Sequence, residues 1–239
     1  MYRWANAGII GNKWAVIHNI SRYSVEIRVI IPTYLPSKYQ SFMILSGALI
    51  ISAYLAGSIS SAVIVCKIMG LPDPRTQGSG NPGATNVLRV GNKKAAAITL
   101  IGDLLKGLIP VLLAKFISDD ANVIALVAVA AFLGHLYPIF FGFKGGKGVA
   151  TAAGVFLGFS LPVGIMVMVT WLLIAKLTNI SSVSALIAAA LSPVYFTFVQ
   201  DVEIYTYTAI LLAIVLMYRH RSNIHDLLQG KEGKISNKD

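Results

Sequence analysis

Val149-Ala-Thr-Ala-Ala-Gly-Val-Phe-Leu-Gly-Phe-Ser-Leu-Pro-Val-Gly-Ile-Met-Val-Met-Val-Thr-Trp-Leu-Leu-Ile-Ala-Lys-Leu177 runs for 29 residues with Lys176 as its sole charge. A helix needs ~20 predominantly apolar residues to cross the hydrocarbon of a bilayer, so this length suits one tilted span or two shorter segments. Gly158, Ser160 and Pro162 cluster at its middle, and Pro cannot continue a helix laid down before it. Charge chooses between the readings. As a single span, the run leaves the acidic turn Asp201 to Glu203 among the basic loops and puts Arg219, Arg221, Lys231, Lys234 and Lys238 on the opposite side. Broken near Pro162, it returns the basic loops to one face, as the excess of Lys and Arg in cytoplasmic loops requires.

The rest of the chain agrees with this alternation. Further apolar runs cover Phe42 to Ile68, Ala95 to Ile117, Ala121 to Phe141, Val183 to Val199 and Ile204 to Tyr218. Lys67, Arg75, Arg89, Lys93 and Lys94 follow the first run, Asp119 and Asp120 follow the second, and Lys144 and Lys147 follow the third. The pattern predicts an all-α integral membrane protein with seven membrane helices and its motif-bearing loops on the cytoplasmic face. The fourth helix (Val149 to Phe159) is short and broken from the fifth (Leu161 to Leu177) near Pro162. A piece that short needs shielding by protein or a partly re-entrant path. Of the 239 residues 56% are hydrophobic and 13% charged, and the mean hydropathy is +0.70, which excludes an ordinary soluble domain. Residues 1–42 carry Arg3, Lys13, Arg22, Arg28 and Lys38 beside Glu26 alone. They read as an N-terminal extension of uncertain structure, with an amphipathic helix over Ile17 to Ile31 as the alternative. The spanning domain is expected over 43–231 and a polar C-terminal tail over 232–239.

A net charge of +10 raises the question of nucleic acid, but the basic residues are scattered between spans without interleaved aromatics, so no nucleic-acid partner is expected. Cys66 is the one cysteine, which removes disulfides and cysteine-based metal sites. Four histidines with few carboxylates supply no zinc spacing, so neither metal nor cofactor is expected. No nucleophilic triad presents itself. The His-x4-Asp signature of soluble glycerolipid acyltransferases is also absent, since Phe140 follows His135 and His225 follows His220 at that spacing.

Two loops look built for anions. Arg75-Thr-Gln-Gly-Ser-Gly-Asn-Pro-Gly-Ala-Thr-Asn-Val-Leu-Arg89 sets Ser79, Gly80, Asn81, Thr85 and Asn86 between two arginines. Glycine permits the turns that aim backbone N–H groups at one point, and a helix beginning at Ala84 adds its dipole. An ordinary turn-rich loop is the competing reading. Phe143-Lys-Gly-Gly-Lys-Gly-Val-Ala-Thr151 repeats the design with Lys144, Gly145, Gly146 and Lys147. It lacks Walker A spacing, which argues against an ATPase; Lys144 also reads as a snorkelling anchor. Ser181 and Ser182 are either site members or helix caps. Arg219 and Arg221 read equally as charge anchors, while His220 and Asn223, at i and i+3, point to a site. Within the spans, Asp103 and Lys106 share a face and read as a mutual brace, and His135 reads either as a site member or, by preference, as a helix-to-helix hydrogen bond.

The motifs Gly78-Ser-Gly-Asn-Pro-Gly-Ala-Thr-Asn-Val-Leu-Arg89, Gly134-His-x-x-Pro-x-Phe-x-x-Phe-Lys-Gly-Gly-Lys-Gly-Val-Ala-Thr151 and Arg219-His-Arg-x-Asn-Ile224 resemble those of the PlsY family, with Gly70 to Arg75 fitting the run-in. The resemblance extends from about Met43 to Lys231. It implies an acyl-phosphate:glycerol-3-phosphate acyltransferase of the bacterial inner (plasma) membrane, its site facing the cytoplasm. The partners implied are glycerol 3-phosphate, a fatty acyl phosphate and membrane lipid, with a functional link to an enzyme that makes acyl phosphate. On this resemblance Ser79, Arg89, Lys147, His220 and Asn223 serve the glycerol 3-phosphate side, and Asn81, Thr85, Ser181 and Ser182 the acyl phosphate. Such a donor carries a good leaving group, so Lys147 and Arg89 are expected to neutralise the phosphates while the departing phosphate takes the proton; His220 as general base is the alternative. A transporter of a phosphate-bearing solute is the competing class, although its binding site belongs at the membrane midplane on broken helices, and here the polar motifs sit at one face.

Overall fold

Each long apolar run becomes helical in the computed structural model, which describes residues 36–90 and 92–235. The helices are α1 (Ser37–Gly57), α2 (Ser61–Ile68), α3 (Ala84–Arg89), α4 (Lys93–Ile117), α5 (Ala121–Leu136), α6 (Val149–Phe159), α7 (Leu161–Thr178), α8 (Ser181–Val199), α9 (Glu203–Arg219) and α10 (Arg221–Leu228). There is no strand among the described residues. Met43–Asp239 forms one compact unit; of the other unit, Met1–Phe42, the described part is 36–42, where α1 begins. The possible amphipathic helix at Ile17 to Ile31, and Arg3, Lys13, Arg22, Glu26 and Arg28, lie outside the described residues.

The break in the decisive stretch falls at Ser160, a single extended residue between α6 and α7, with Pro162 in the first turn of α7. Breaking a helix in apolar surroundings strands its last carbonyls, and each needs a donor. Lys115 supplies it: Nζ donates to the carbonyls of Gly158 and Phe159, both at 3.2 Å. The 11-residue α6 is shielded by protein, as its length demands. Gly154 lies so close to α4 that a Cβ there would fall 2.0 Å from the Leu104 carbonyl oxygen, the small-residue approach by which membrane helices pack tightly. On its other side Phe156 and Phe159 meet the Phe196 ring edge-on at centroid distances of 5.5 and 6.0 Å, and Phe159 stacks on Tyr205 at 4.1 Å.

A second break was not anticipated. The run Phe42 to Ile68, expected as one span, is divided into α1 and α2 around Ser58–Ser60. Gly57 packs against the Ala131 carbonyl of α5, and the Ser58 hydroxyl donates back to the Tyr54 carbonyl at 2.8 Å. The Ile59 carbonyl freed at this bend accepts from Lys106 Nζ at 2.9 Å. Lys106 is itself paired with Asp103 at 2.8 Å in the buried interior. The expected brace is present and has this further task.

Of the seven helices expected to cross a membrane, five described segments have the length and apolarity to do so: Tyr39–Gly57, Lys93–Ile117, Ala121–Phe141, Leu161–Thr178 and Ser181–Val199. The other two, α6 and α9, are shorter at 11 and 17 residues. Large apolar side chains such as Phe116, Leu173, Leu177 and Phe198 face outward, a surface suited to lipid and not to water.

Candidate active site

Both glycine loops and the α9–α10 junction lie at one end of the bundle, around a cavity of about 430 Å³. The first loop is organised from within by Asn86. Its amide oxygen accepts from the Ser79 N–H at 2.9 Å, and its amide nitrogen donates to the Pro74 and Gln77 carbonyls at 2.8 and 3.0 Å. Gly78 has φ +56 and passes so close to Asn86 that a Cβ would fall 2.3 Å from that amide oxygen. Asn86, expected to bind substrate, lines the cavity, and its side-chain amide also shapes the loop that carries Ser79. Gly80 closes a turn through its N–H to the Gln77 carbonyl at 2.9 Å; it shapes backbone and does not line the cavity. Arg75 is held by Asp73 at 2.6 Å, and the hydrogen bonds from Arg75 hold the Asp73 carboxyl below the usual carboxylate range. Of the two arginines flanking this loop, Arg89, at the end of α3, is the one that lines the cavity. Ser79, Asn81, Thr85 and Arg89 all line the cavity.

The second loop runs from α5 to α6. The Gly146 N–H donates to the His135 carbonyl at 3.2 Å, while the carbonyls of Gly145 and Gly146 accept from Arg219 Nη2 at 3.1 and 2.9 Å. Gly145 and Gly146 are thus tied to protein partners and do not line the cavity; Lys147, which follows, does. Its ammonium donates to the Asn223 amide oxygen. Burial pushes the Lys147 ammonium below the usual lysine range, and Glu232 partly opposes that. Lys144 is exposed and lies off the cavity, in keeping with an anchor. His135 lines the cavity from α5, with Nδ1 3.6 Å from Asp103 Oδ1.

His220 is 3% exposed at the junction of α9 and α10. Its Nδ1 lies 2.8 Å from the Leu216 carbonyl, an oxygen that can only accept, so Nδ1 carries the proton and Nε2 is left as an acceptor. Burial holds this imidazole at a pKa of about 4. Ser181 and Ser182 open α8 without capping it, since Ile180 is the N-cap residue. The Ser181 hydroxyl meets that of Thr85 at 3.1 Å, and Ser182 donates to Glu232 Oε1 at 2.8 Å.

Glu232 was missed in the sequence, where it falls in the expected polar tail. The same Oε1 also accepts from Asn223 Nδ2 at 2.8 Å. Residues 231–235 form a strap beside Arg89, whose guanidinium donates to the Gly233 and Lys234 carbonyls at 2.6 and 3.1 Å, and the strap is tied by the Ile235 N–H to the Asn179 carbonyl at 2.8 Å. Away from this polar end the cavity is lined by apolar side chains, among them Leu100, Leu104, Phe156, Val167, Trp171 and Leu172. A site with cations and donors at one end and hydrocarbon along the rest suits an anionic head joined to an acyl chain. No group of His, Cys, Asp and Glu capable of holding a metal occurs among the described residues.

Known proteins are similar to this chain in sequence and fold. The family profile described as Glycerol-3-phosphate acyltransferase matches residues 47–230. The Glycerol-3-phosphate acyltransferase of Thioalkalivibrio sulfidiphilus is 57% identical over 196 residues, covering 82% of this chain and 97% of that protein. The Glycerol-3-phosphate acyltransferase of Methylococcus capsulatus is 54% identical over 187 residues, covering 78% and 94%. The crystal structure of PlsY, an integral membrane glycerol 3-phosphate acyltransferase, in its glycerol 3-phosphate form superposes with a TM-score of 0.76 at 39% identity, covering 79% of this chain and 94% of that one. Its lysophosphatidic acid form gives 0.74 at 38% identity. Sequence and fold both agree, and the chain belongs to the PlsY family of integral membrane glycerol-3-phosphate acyltransferases.

Proposed function

We propose that this protein transfers a fatty acyl group from acyl phosphate to the 1-hydroxyl of glycerol 3-phosphate, with its polar cavity end facing the cytoplasm of a bacterial inner membrane and seven helices in the bilayer. The observation that carries the reading is the meeting of Arg89, Lys147 and Asn223 at the polar end of a cavity whose remaining lining is mainly hydrocarbon. In the reaction the hydroxyl oxygen forms a bond to the acyl carbonyl carbon, and the bond from that carbon to the phosphate oxygen breaks. The hydroxyl proton leaves with the departing phosphate, so lysophosphatidate and inorganic phosphate are the products. Two phosphates must share the site, and their mutual repulsion is offset by Arg89 and Lys147. Ser79 and Asn223 add donors around the glycerol 3-phosphate, and Asn81, Thr85, Ser181 and Ser182 do so around the acyl phosphate. Preorganised donors of this kind contribute roughly 10²–10³-fold each to rate. The strap carbonyls on Arg89 and the Glu232 carboxylate on Ser182 occupy groups that a phosphate uses, so binding exchanges these partners for phosphate oxygens.

The test is product formation by the purified protein. With acyl phosphate and glycerol 3-phosphate together, lysophosphatidate and phosphate rise in equal amounts, and omission of either substrate abolishes both. Flux of glycerol 3-phosphate into liposomes without phosphate release would instead identify a transporter.

A further inference from the structure

Lys147 is the cation at the centre of the cavity's polar end, yet it follows two glycines whose backbone no side chain of their own restrains. Its placement has to come from outside the loop. The Gly145 and Gly146 carbonyls converge on one nitrogen, Arg219 Nη2, at 3.1 and 2.9 Å. The guanidinium is oriented in turn by the Tyr137 ring, 5.5 Å from Cζ, a separation at which the cation is attracted to the ring face. Tyr137 is fixed by its carbonyl accepting from the Tyr54 hydroxyl at 2.8 Å. Four residues after Arg219, Asn223 accepts from the Lys147 ammonium. The α9–α10 junction therefore grips the loop twice, by its backbone through Arg219 and by the tip of Lys147 through Asn223.

We infer that Arg219 is a positioning residue for acyl transfer: it holds the Gly145–Gly146 backbone so that Lys147 meets the reacting phosphates, and it touches no substrate itself. Arg219 is absent from the cavity lining, and its Nε is buried without a partner. A residue serving only as a charge anchor has no need of the two bonds to the loop carbonyls. The inference rests on the proposed acyl transfer for its kinetic part, while its structural part concerns Lys147 alone.

Arg219→Lys is the informative change. It keeps the charge at the membrane edge, but the ammonium stops one bond short of Nη2 and lacks the planar fork. Misplacement of a catalytic group by about 1 Å costs on the order of 10²-fold, so kcat falls about 10–100-fold while KM for glycerol 3-phosphate changes less. In a Lys147→Ala background the same substitution costs less than about 3-fold, because residues acting as a unit are not additive. Labelling with an amine-reactive reagent, mapped by mass spectrometry, gives a readout independent of turnover. In Arg219→Lys the Lys147 ammonium becomes more reactive relative to the exposed Lys144, and in the parent protein it is protected. Wild-type kcat in Arg219→Lys, an equal loss in the Lys147→Ala background, or unchanged Lys147 labelling would each overturn the positioning role. Absence of acyl transfer by the parent protein would instead defeat the proposed reaction and leave the labelling result to stand alone.

Discussion

His220 illustrates how a single side chain can be tuned away from its default. Its neutral form is favoured by burial, and at a pKa of about 4 it does not change charge across neutral pH, where an unperturbed histidine titrates near 6.5. The pH profile of kcat/KM between about pH 6 and 8 is accordingly free of any inflection from this group. A stability consequence has a definite sign. Because the folded pKa is depressed, the unfolded chain binds the proton first as pH falls, so stability is complete above about pH 6.5 and declines toward pH 4. The melting temperature of purified protein drops over that window, and the drop shrinks in His220→Gln. An identical slope in the variant contradicts the assignment. In the proposed reaction Nε2 of His220 accepts a hydrogen bond from the glycerol hydroxyl, and loss of a bell-shaped rate profile in His220→Gln would favour the general-base alternative.

Helix α6 exists because two independent features support it, a donor for its stranded carbonyls and a close seat on α4. Lys115→Met keeps the apolar bulk but leaves the Gly158 and Phe159 carbonyls without their donor, a loss of about 1–3 kcal/mol per buried unsatisfied group. Thermal unfolding in detergent reads it as a lowered melting temperature; an unshifted one means that another donor serves these carbonyls. Gly154→Val is harsher, since its Cβ would fall 2.0 Å from the Leu104 carbonyl oxygen; the helices must part, and folded protein recovered from membranes falls well below wild type. The break at Ser160 was legible because charge on either side of the long run demanded it. The break at Ser58–Ser60 was not, for Phe42 to Ile68 stays apolar across it and its causes, the Ala131 carbonyl and Lys106, come from other helices. For Asn86, Gly145 and Gly146 the protein partners were not legible in sequence, because the Pro74 and Gln77 carbonyls and Arg219 reach them only in the folded chain. Glu232 lay hidden for a related reason: one carboxylate after a turn carries no periodic signal, and its place follows from the chain returning over the site.

For the whole molecule, the gathering of every motif at one end suits the proposed reaction between a water-soluble phosphate and a lipid-like donor. In the proposed reaction the head groups meet among cations, and the apolar wall lined by Leu104, Phe156 and Trp171 is where the acyl chain would lie. The proposed orientation is open to impermeant thiol labelling, in which Cys66, 3% exposed, stays silent. Lys144→Cys reacts from the cytoplasmic side and Asp119→Cys from the opposite side; reaction of both from one side contradicts the topology. The central claim is that cations at this end of the cavity perform acyl transfer. Phosphate release from acyl phosphate by the purified protein, with and without glycerol 3-phosphate and compared with Lys147→Ala, measures it directly. Release that depends on the acceptor and falls about 10²–10³-fold in the variant is the predicted result; acceptor-independent release, or full activity without the Lys147 ammonium, would contradict it.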